Sequence, residues 1–179
     1  MKRTILRMVD EAASKWPAAP YVLRKTDAGF VAVSFAEARE RAREFAAWLL
    51  STGFRSGDTV AIIGEGSPEW VIGDLALMMA RCISVPLSIK LLGEEIPFRL
   101  NHSEAKAILT TKNQLKKVLG SFAQVKNTAI KVVYLDDDPD AARAAAAEFG
   151  VSADRVVGLD EARAAGRAAM ATATAALDR

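Results

Sequence analysis

A turn between an apolar run and a helix start has the form of a phosphate site. Within residues 58–87, DTVAIIGEGSPEWVIGDLALMMARCISVPL, Gly64 and Gly66 have the spacing that begins the dinucleotide-binding fingerprint G-x-G-x-x-G. The third glycine would fall at position 69, where the chain has Glu69. A carboxylate there competes with a phosphate for the N–H groups and positive dipole of a helix N-terminus. The turn is therefore interpreted as structural.

Three other features have residue types that can do chemistry. Cys82 lies between a predicted helix and a predicted strand, where cysteine is usually a small buried hydrophobe rather than a nucleophile. His102 has no acid or nucleophile near it in sequence, so we interpret it as a capping or hydrogen-bonding residue rather than a base. The run Asp136–Asp138 could hold Mg²⁺, but before Pro139 it is more typical of a solvated loop that leads into a helix. We predict no metal site.

The composition indicates one globular domain. The 179 residues are 51% hydrophobic, and 24 basic against 22 acidic residues are interleaved, which argues against nucleic-acid binding. A single cysteine forms no internal disulfide and suits a reducing compartment, so we expect a cytoplasmic protein. Charges interrupt the N-terminal apolar pattern of a signal peptide, and no apolar run is long enough for a transmembrane segment.

The periodicity predicts an α/β fold, with a partial parallel, Rossmann-like sheet flanked by helices and preceded by an N-terminal helix and a β-hairpin. Helical spacing covers 5–16, and β-type runs flank a turn at 27–29. Ser34 and Glu37 form a capping box for a helix that ends at Gly53 and carries a charge run, EARERAREF, interpreted as solvated. The strands TVAII, ISVPL, AILTT, KVVYL and RVVGL then alternate with helices near 68–80, 94–101, 113–119, 139–149 and from 160 onward.

Candidate substrate-facing residues follow from this topology. Ligands of doubly wound sheets lie at the carboxyl ends of the strands. The polar and basic side chains placed there are Ser67, Ser88, Lys90, Thr111 and Lys112.

The last part of the chain is rich in alanine. Residues 141–176 have high helix propensity, but large apolar residues are scarce, so we expect an unfinished helix that is not docked on a core. We divide the chain into an N-terminal subdomain, 1–136, and an incomplete alanine-rich continuation of the same domain, 137–179.

Several motifs occur together in a fixed order. LLSTG precedes GDTVAI, and GEGSPEW, SVPL, EEI and NHSEAKAI follow. As a set, from Thr4 to Asp136, they resemble the N-terminal part of the AMP-forming acyl-CoA synthetases, particularly the long-chain fatty-acid type. The chain departs from the family pattern at Gly66, where Asn is usual, at Arg81, where Gly commonly ends the helix, and at 88–90, where Pro or Thr is frequent.

The resemblance implies the N-terminal fragment of an ATP-dependent fatty-acid:CoA ligase. Such an enzyme converts a fatty acid to an acyl-adenylate with Mg-ATP and passes the acyl group to coenzyme A. The family's phosphate loop, a Ser/Thr/Gly-rich run ending Pro-Lys-Gly, is implied to lie past Arg179, with the ribose-binding motif and catalytic lysine further on. This chain has no adjacent glycines and no Pro-Lys pair. We therefore expect it to bind no cofactor and to be inactive alone, whereas the parent enzyme uses ATP, Mg²⁺ and CoA.

The expected partners are the remainder of the synthetase and, for the parent, fatty acid and CoA. An apolar face and unpaired sheet edge favour self-association, and peripheral membrane contact of the parent is left open. The alternative function is a stand-alone, non-catalytic α/β binding or interaction module derived from the same scaffold.

Overall fold

The computed structural model describes residues 4–177, apart from the side chains of 174–176. An N-terminal helix and a hairpin precede regular β/α alternation. The helices are α1 (Ile5–Lys15), α2 (Phe35–Ser51), α3 (Pro68–Met79), α4 (Ile96–His102), α5 (Lys112–Ser121), α6 (Pro139–Glu148) and α7 (Leu159–Leu177). The strands are β1 (Pro20–Thr26), β2 (Gly29–Ser34), β3 (Thr59–Ile63), β4 (Ile83–Pro86), β5 (Ala107–Thr110), β6 (Lys131–Tyr134) and β7 (Val156–Gly158).

Five strands form one parallel sheet in the order β4-β3-β5-β6-β7, and β1 and β2 pair antiparallel beside it. Alternate residues of β3 enter two different cores: Val60 and Ile62 pack with α1, α2 and α3, whereas Ala61 and Ile63 pack with α4, α5 and α6. Helices thus cover both faces, which explains the nearly continuous apolar strands. The predicted α/β fold is confirmed. Every helix within 4–177 is too short or too polar to cross a bilayer.

The predicted helix starts have a local cause. Ser34 Oγ accepts a hydrogen bond from Glu37 N at 3.3 Å, and Ser67 Oγ accepts one from Trp70 N at 3.1 Å. Each serine thus satisfies a backbone N–H of the first helical turn, which has no partner within the helix. Pro97 lies in the first turn of α4, where its missing N–H removes no helical hydrogen bond.

The C-terminal helix corrects two predictions. We expected an undocked α7, but α7 packs along α2. This contact is more extensive than the contact between any other two described helices. We also interpreted the charge run of α2 as solvated, yet Glu44 within it is only 3% exposed because α7 covers it. The middle of the α2–α7 contact is made of small residues, among them Gly166, and the large apolar side chains of α7 that pack on the core lie near its ends, at Leu159 and Leu177.

The end of α3 carries backbone strain that a substitution can relieve. Arg81 has φ 59°, the left-handed region in which a Cβ costs about 1 kcal/mol. We expect Arg81→Gly to raise the free energy of unfolding by about 0.5–1 kcal/mol, after allowing for the greater freedom of glycine in the unfolded chain. Urea denaturation measures this change. Arg81→Ala keeps the Cβ and is the control: equal stabilisation by both variants would contradict the strain explanation.

Candidate functional site

The carboxyl edge of the sheet has one switch point. The chain passes from β3 to β4 on one side, and β5 lies on the other side of β3, so the crevice between the ends of β3 and β5 is where this topology places ligands. The loop 64–67 and the start of α5 border that crevice. This is the position at which the sequence suggested a phosphate-like turn.

A carboxylate of the protein occupies the switch-point crevice. Glu65 accepts hydrogen bonds from Thr111 Oγ1 and, at 2.6 Å, from Gln114 Nε2. The hydrogen bond from Thr111 lowers the pKa of Glu65, and the one from Gln114 lowers this pKa further, whereas burial raises it. The pKa remains below its ordinary value, so the carboxylate is charged at neutral pH. Gly64 allows the close approach, since a Cβ there would lie 2.6 Å from Thr111 Cγ2. The negative charge of Glu65 would repel a phosphate in the crevice.

The predicted substrate-facing residues separate into distinct places. Thr111 lies in the crevice against Glu65, and Ser67 caps α3 nearby. Lys112 follows Thr111 and lines a neighbouring cavity. Ser88 lies in the turn after the edge strand β4, where its Oγ accepts from the backbone N of an exposed Lys90 at 3.2 Å. Among the described residues, no hydrogen bond or ion pair joins Ser88 or Lys90 to the other predicted residues, which are Ser67, Thr111 and Lys112.

The neighbouring cavity has a volume of about 640 Å³. It lies between the ends of β6 and β7 and the elements α2, α3 and β1. Its floor contains Ile72, Leu135 and Leu159, and its charged walls are formed by Arg24, Arg41, Glu69, Lys112, Asp136, Asp137, Asp138, Asp160, Glu161 and Arg163. No local sequence signal predicts this cavity, because Arg24 and Arg41 come from elements far from the strand ends along the chain.

The N-termini of α5, α6 and α7, which face this cavity, are capped by the protein's own carboxylates. Asp136 Oδ2 accepts from Lys112 N at 2.6 Å, Asp138 Oδ1 accepts from Ala141 N at 3.0 Å, and Glu161 Oε2 accepts from Gly158 N at 2.9 Å. These donors are the ones that would otherwise bind a phosphate. The cavity is therefore a poor site for a triphosphate.

Several charged side chains of the cavity wall form salt bridges with one another. Arg24 pairs with Glu69 at the start of α3, and Arg163 pairs with Asp160. Within residues 4–177, the Lys112 ammonium and the Asp137 carboxylate have no hydrogen-bond or ion-pair partner. The same part of the chain contains no group of three or more His, Cys, Asp or Glu side chains arranged to hold a metal ion.

Cys82 is buried as the sequence predicted, but the prediction for His102 is wrong: among the described residues its side chain forms no hydrogen bond and caps no helix. Burial raises the pKa of the Cys82 thiol to about 11, so the thiolate that a nucleophile needs is scarce at neutral pH. His102 is exposed and stacks on Phe98, with ring centroids 5.6 Å apart. Neither side chain borders the crevice or the cavity.

The sequence profile of one enzyme family, described as AMP-binding enzyme, matches residues 9–174. Fatty acyl-CoA synthetase A of Dictyostelium discoideum is 31% identical over 101 residues, 56% of this chain and 14% of that protein. Tyrocidine synthase 3 of Brevibacillus parabrevis is 30% identical over 136 residues, 76% of this chain and 2% of that protein. The chain thus spans a small part of both relatives.

A solved structure shows the same fold. It is the A-PCP didomain of the carboxylic acid reductase from Segniliparus rugosus in complex with AMP, which superposes with a TM-score of 0.76 over 94% of this chain and 27% of that chain. The sequence identity is 21%. At this identity the likeness establishes the α/β scaffold alone.

Proposed function

The chain belongs to the AMP-binding enzyme family, and from this premise we propose that it is the N-terminal part of a long-chain fatty-acid:CoA ligase of lipid metabolism. The family match over 9–174 carries the proposal, because it includes nearly every element of the fold. The fatty-acid assignment is supported by the similarity to fatty acyl-CoA synthetase A and by the ordered motifs. The single cysteine suits a reducing compartment, so we place the enzyme in the cytoplasm.

In the proposed reaction the fatty-acid carboxylate displaces pyrophosphate from ATP, and the CoA thiol then displaces AMP from the acyl-adenylate. The described residues of this chain do not fit the triphosphate, because Glu65 fills the switch-point crevice and carboxylates already cap the neighbouring helices. We therefore assign to this chain the role of a scaffold, and we assign binding of ATP, Mg²⁺ and CoA to the remainder of the synthetase.

The purified chain is expected to melt cooperatively at a temperature that millimolar Mg-ATP leaves unchanged. A ligand at a hundred times its Kd would stabilise the native state by about 2.7 kcal/mol, a shift of several degrees. The chain should also release no pyrophosphate from ATP and palmitate. A clear upward shift would contradict the scaffold role. Gly66→Asp would then locate the ligand, since a carboxylate at that turn should abolish a shift caused by phosphate bound there.

The substrate class is tested on the complete reading frame that encodes this chain. The expressed protein should release pyrophosphate with palmitate and consume CoA. Amino-acid-dependent pyrophosphate release without CoA consumption would contradict the fatty-acid assignment. A reading frame that lacks the Ser/Thr/Gly-rich loop would favour the stand-alone binding or interaction module.

Self-association remains a prediction. Leu92 and Phe98 are each 61% exposed, and β4 lies at an edge of the sheet. Pro86 gives this edge strand no N–H at its last position, which weakens it as a template for another strand. We propose that apolar side chains, rather than strand pairing, would drive association of the chain.

A further inference from the structure

Two arginines of α7 converge on one buried carboxylate of α2. Glu44 Oε2 accepts hydrogen bonds from Arg163 Nε at 3.0 Å and Arg163 Nη2 at 2.9 Å, and Glu44 Oε1 accepts one from Arg167 Nε at 2.6 Å. Asp160 accepts from the remaining Arg163 Nη1 at 2.7 Å. The arginines are therefore oriented toward one position on α2.

The rest of the α2–α7 contact offers little apolar area. Leucines at the two ends of α7, Leu159 and Leu177, pack on the core, but between them the only described positions that are buried are Ala162, Gly166 and Ala173, and most other described side chains there face solvent. Small side chains bury little surface, and elements with few buried apolar contacts open at lower free energy than the core. The sheet, by contrast, has buried aliphatic side chains on both faces.

We propose that α7 is a releasable helix, which separates from α2 as one unit when Glu44 loses its negative charge while the parallel sheet stays folded. This inference does not depend on the proposed ligase activity. Neutral Glu44 would leave two guanidinium groups facing an uncharged side chain in a seam whose middle consists of small side chains.

The direction of the pH dependence follows from the charges around Glu44. Burial alone would raise the pKa of Glu44, but hydrogen bonds from Arg167 and Arg163 outweigh it and hold the pKa below its ordinary value of 4.5. Two further carboxylates face these arginines: Glu40 of α2 acts on Arg167, and Asp160 of α7 accepts a hydrogen bond from Arg163. The contribution of Glu44 to docking is therefore complete above about pH 4.5 and is lost as the pH falls below that value.

Amide hydrogen exchange of Glu44→Gln and wild type tests the proposal. The variant should exchange α7 amides at least about tenfold faster than wild type, while the amides of β5 and β6 change by less than about threefold. Glu148→Gln removes one partner of an exposed ion pair with Lys116 and is the charge-matched control, which should leave α7 exchange unchanged. Equal acceleration of α7 and sheet, or a smaller acceleration of α7, would overturn the proposal.

An acid titration keeps the test decisive if Glu44→Gln fails to fold. Protection factors of wild-type α7 amides should fall below about pH 4.5 before those of β5 and β6. Simultaneous loss of protection in helix and sheet would show one cooperative unit and refute a releasable helix. Ile108→Val, which truncates a fully buried residue of β5, should accelerate the sheet amides while leaving α7 exchange by local opening unchanged.

Discussion

Gly166→Ala should destabilise the chain by about 3 kcal/mol, the upper part of the range for overpacking. A Cβ built on Gly166 lies 1.8 Å from the carbonyl oxygen of Glu44 and 2.9 Å from Trp48 N. Both atoms belong to the backbone of α2, so no side-chain rotation relieves the clash. The helices must move apart, and the hydrogen bonds from Arg163 and Arg167 to Glu44 are then lost. Urea denaturation with tryptophan fluorescence would measure the loss.

Gly120→Ala is the matched control for the Gly166 variant. Gly120 lies within α5, and a Cβ there would be 3.4 Å from a ring atom of Phe149, a half-exposed side chain that can move. Alanine has the higher helix propensity, so this control should be neutral or stabilising by up to about 1 kcal/mol. Equal effects of the two substitutions would mean that the α2–α7 contact is looser than the backbone distance requires.

Short-range sequence signals predicted much of the fold, because local physics determines them. Ser34 and Ser67 each cap the helix expected to follow them, whereas the helix expected near 94 begins at Ile96, so that Pro97 lies in its first turn. The alternation of apolar strands with helices determined the parallel sheet and its two covered faces. These features depend on residues within a few positions of one another.

Long-range contacts between small or charged residues could not be predicted in the same way. Glu44 lies in a charge run that resembles a solvated face, and its burial depends on Arg163 and Arg167, more than a hundred residues later. Gly166 interrupts an alanine-rich helix, where a glycine has no distinct local signal. Topology predicts that Ser67 and Thr111 lie at the carboxyl edge of the sheet, but the position of the Glu65 carboxylate in the crevice depends on Thr111 and Gln114 at the start of α5, nearly fifty residues later.

Leu109→Ala should cost about 3–5 kcal/mol of folding free energy, because Leu109 is fully buried in the central strand β5. The loss includes the transfer energy of the removed carbons and the cavity that they leave. Leu109 Cδ2 points at α3, where a Cβ added to Gly73 would lie 2.8 Å from it. Gly73→Ala alone should therefore be mildly destabilising, by about 1 kcal/mol, since the clash outweighs the gain in helix propensity.

The double variant Gly73→Ala/Leu109→Ala should be more stable than Leu109→Ala alone by about 1 kcal/mol, because the new methyl group enters the space that the leucine leaves. The single variants and the double variant form a mutant cycle whose coupling energy is measured by urea denaturation. Gly120→Ala/Leu109→Ala is the control cycle: Gly120 gains similar helix propensity but faces Phe149, so its effect should add to that of Leu109→Ala without coupling. Equal coupling in the two cycles would show that propensity, and not the contact between α3 and β5, explains the rescue.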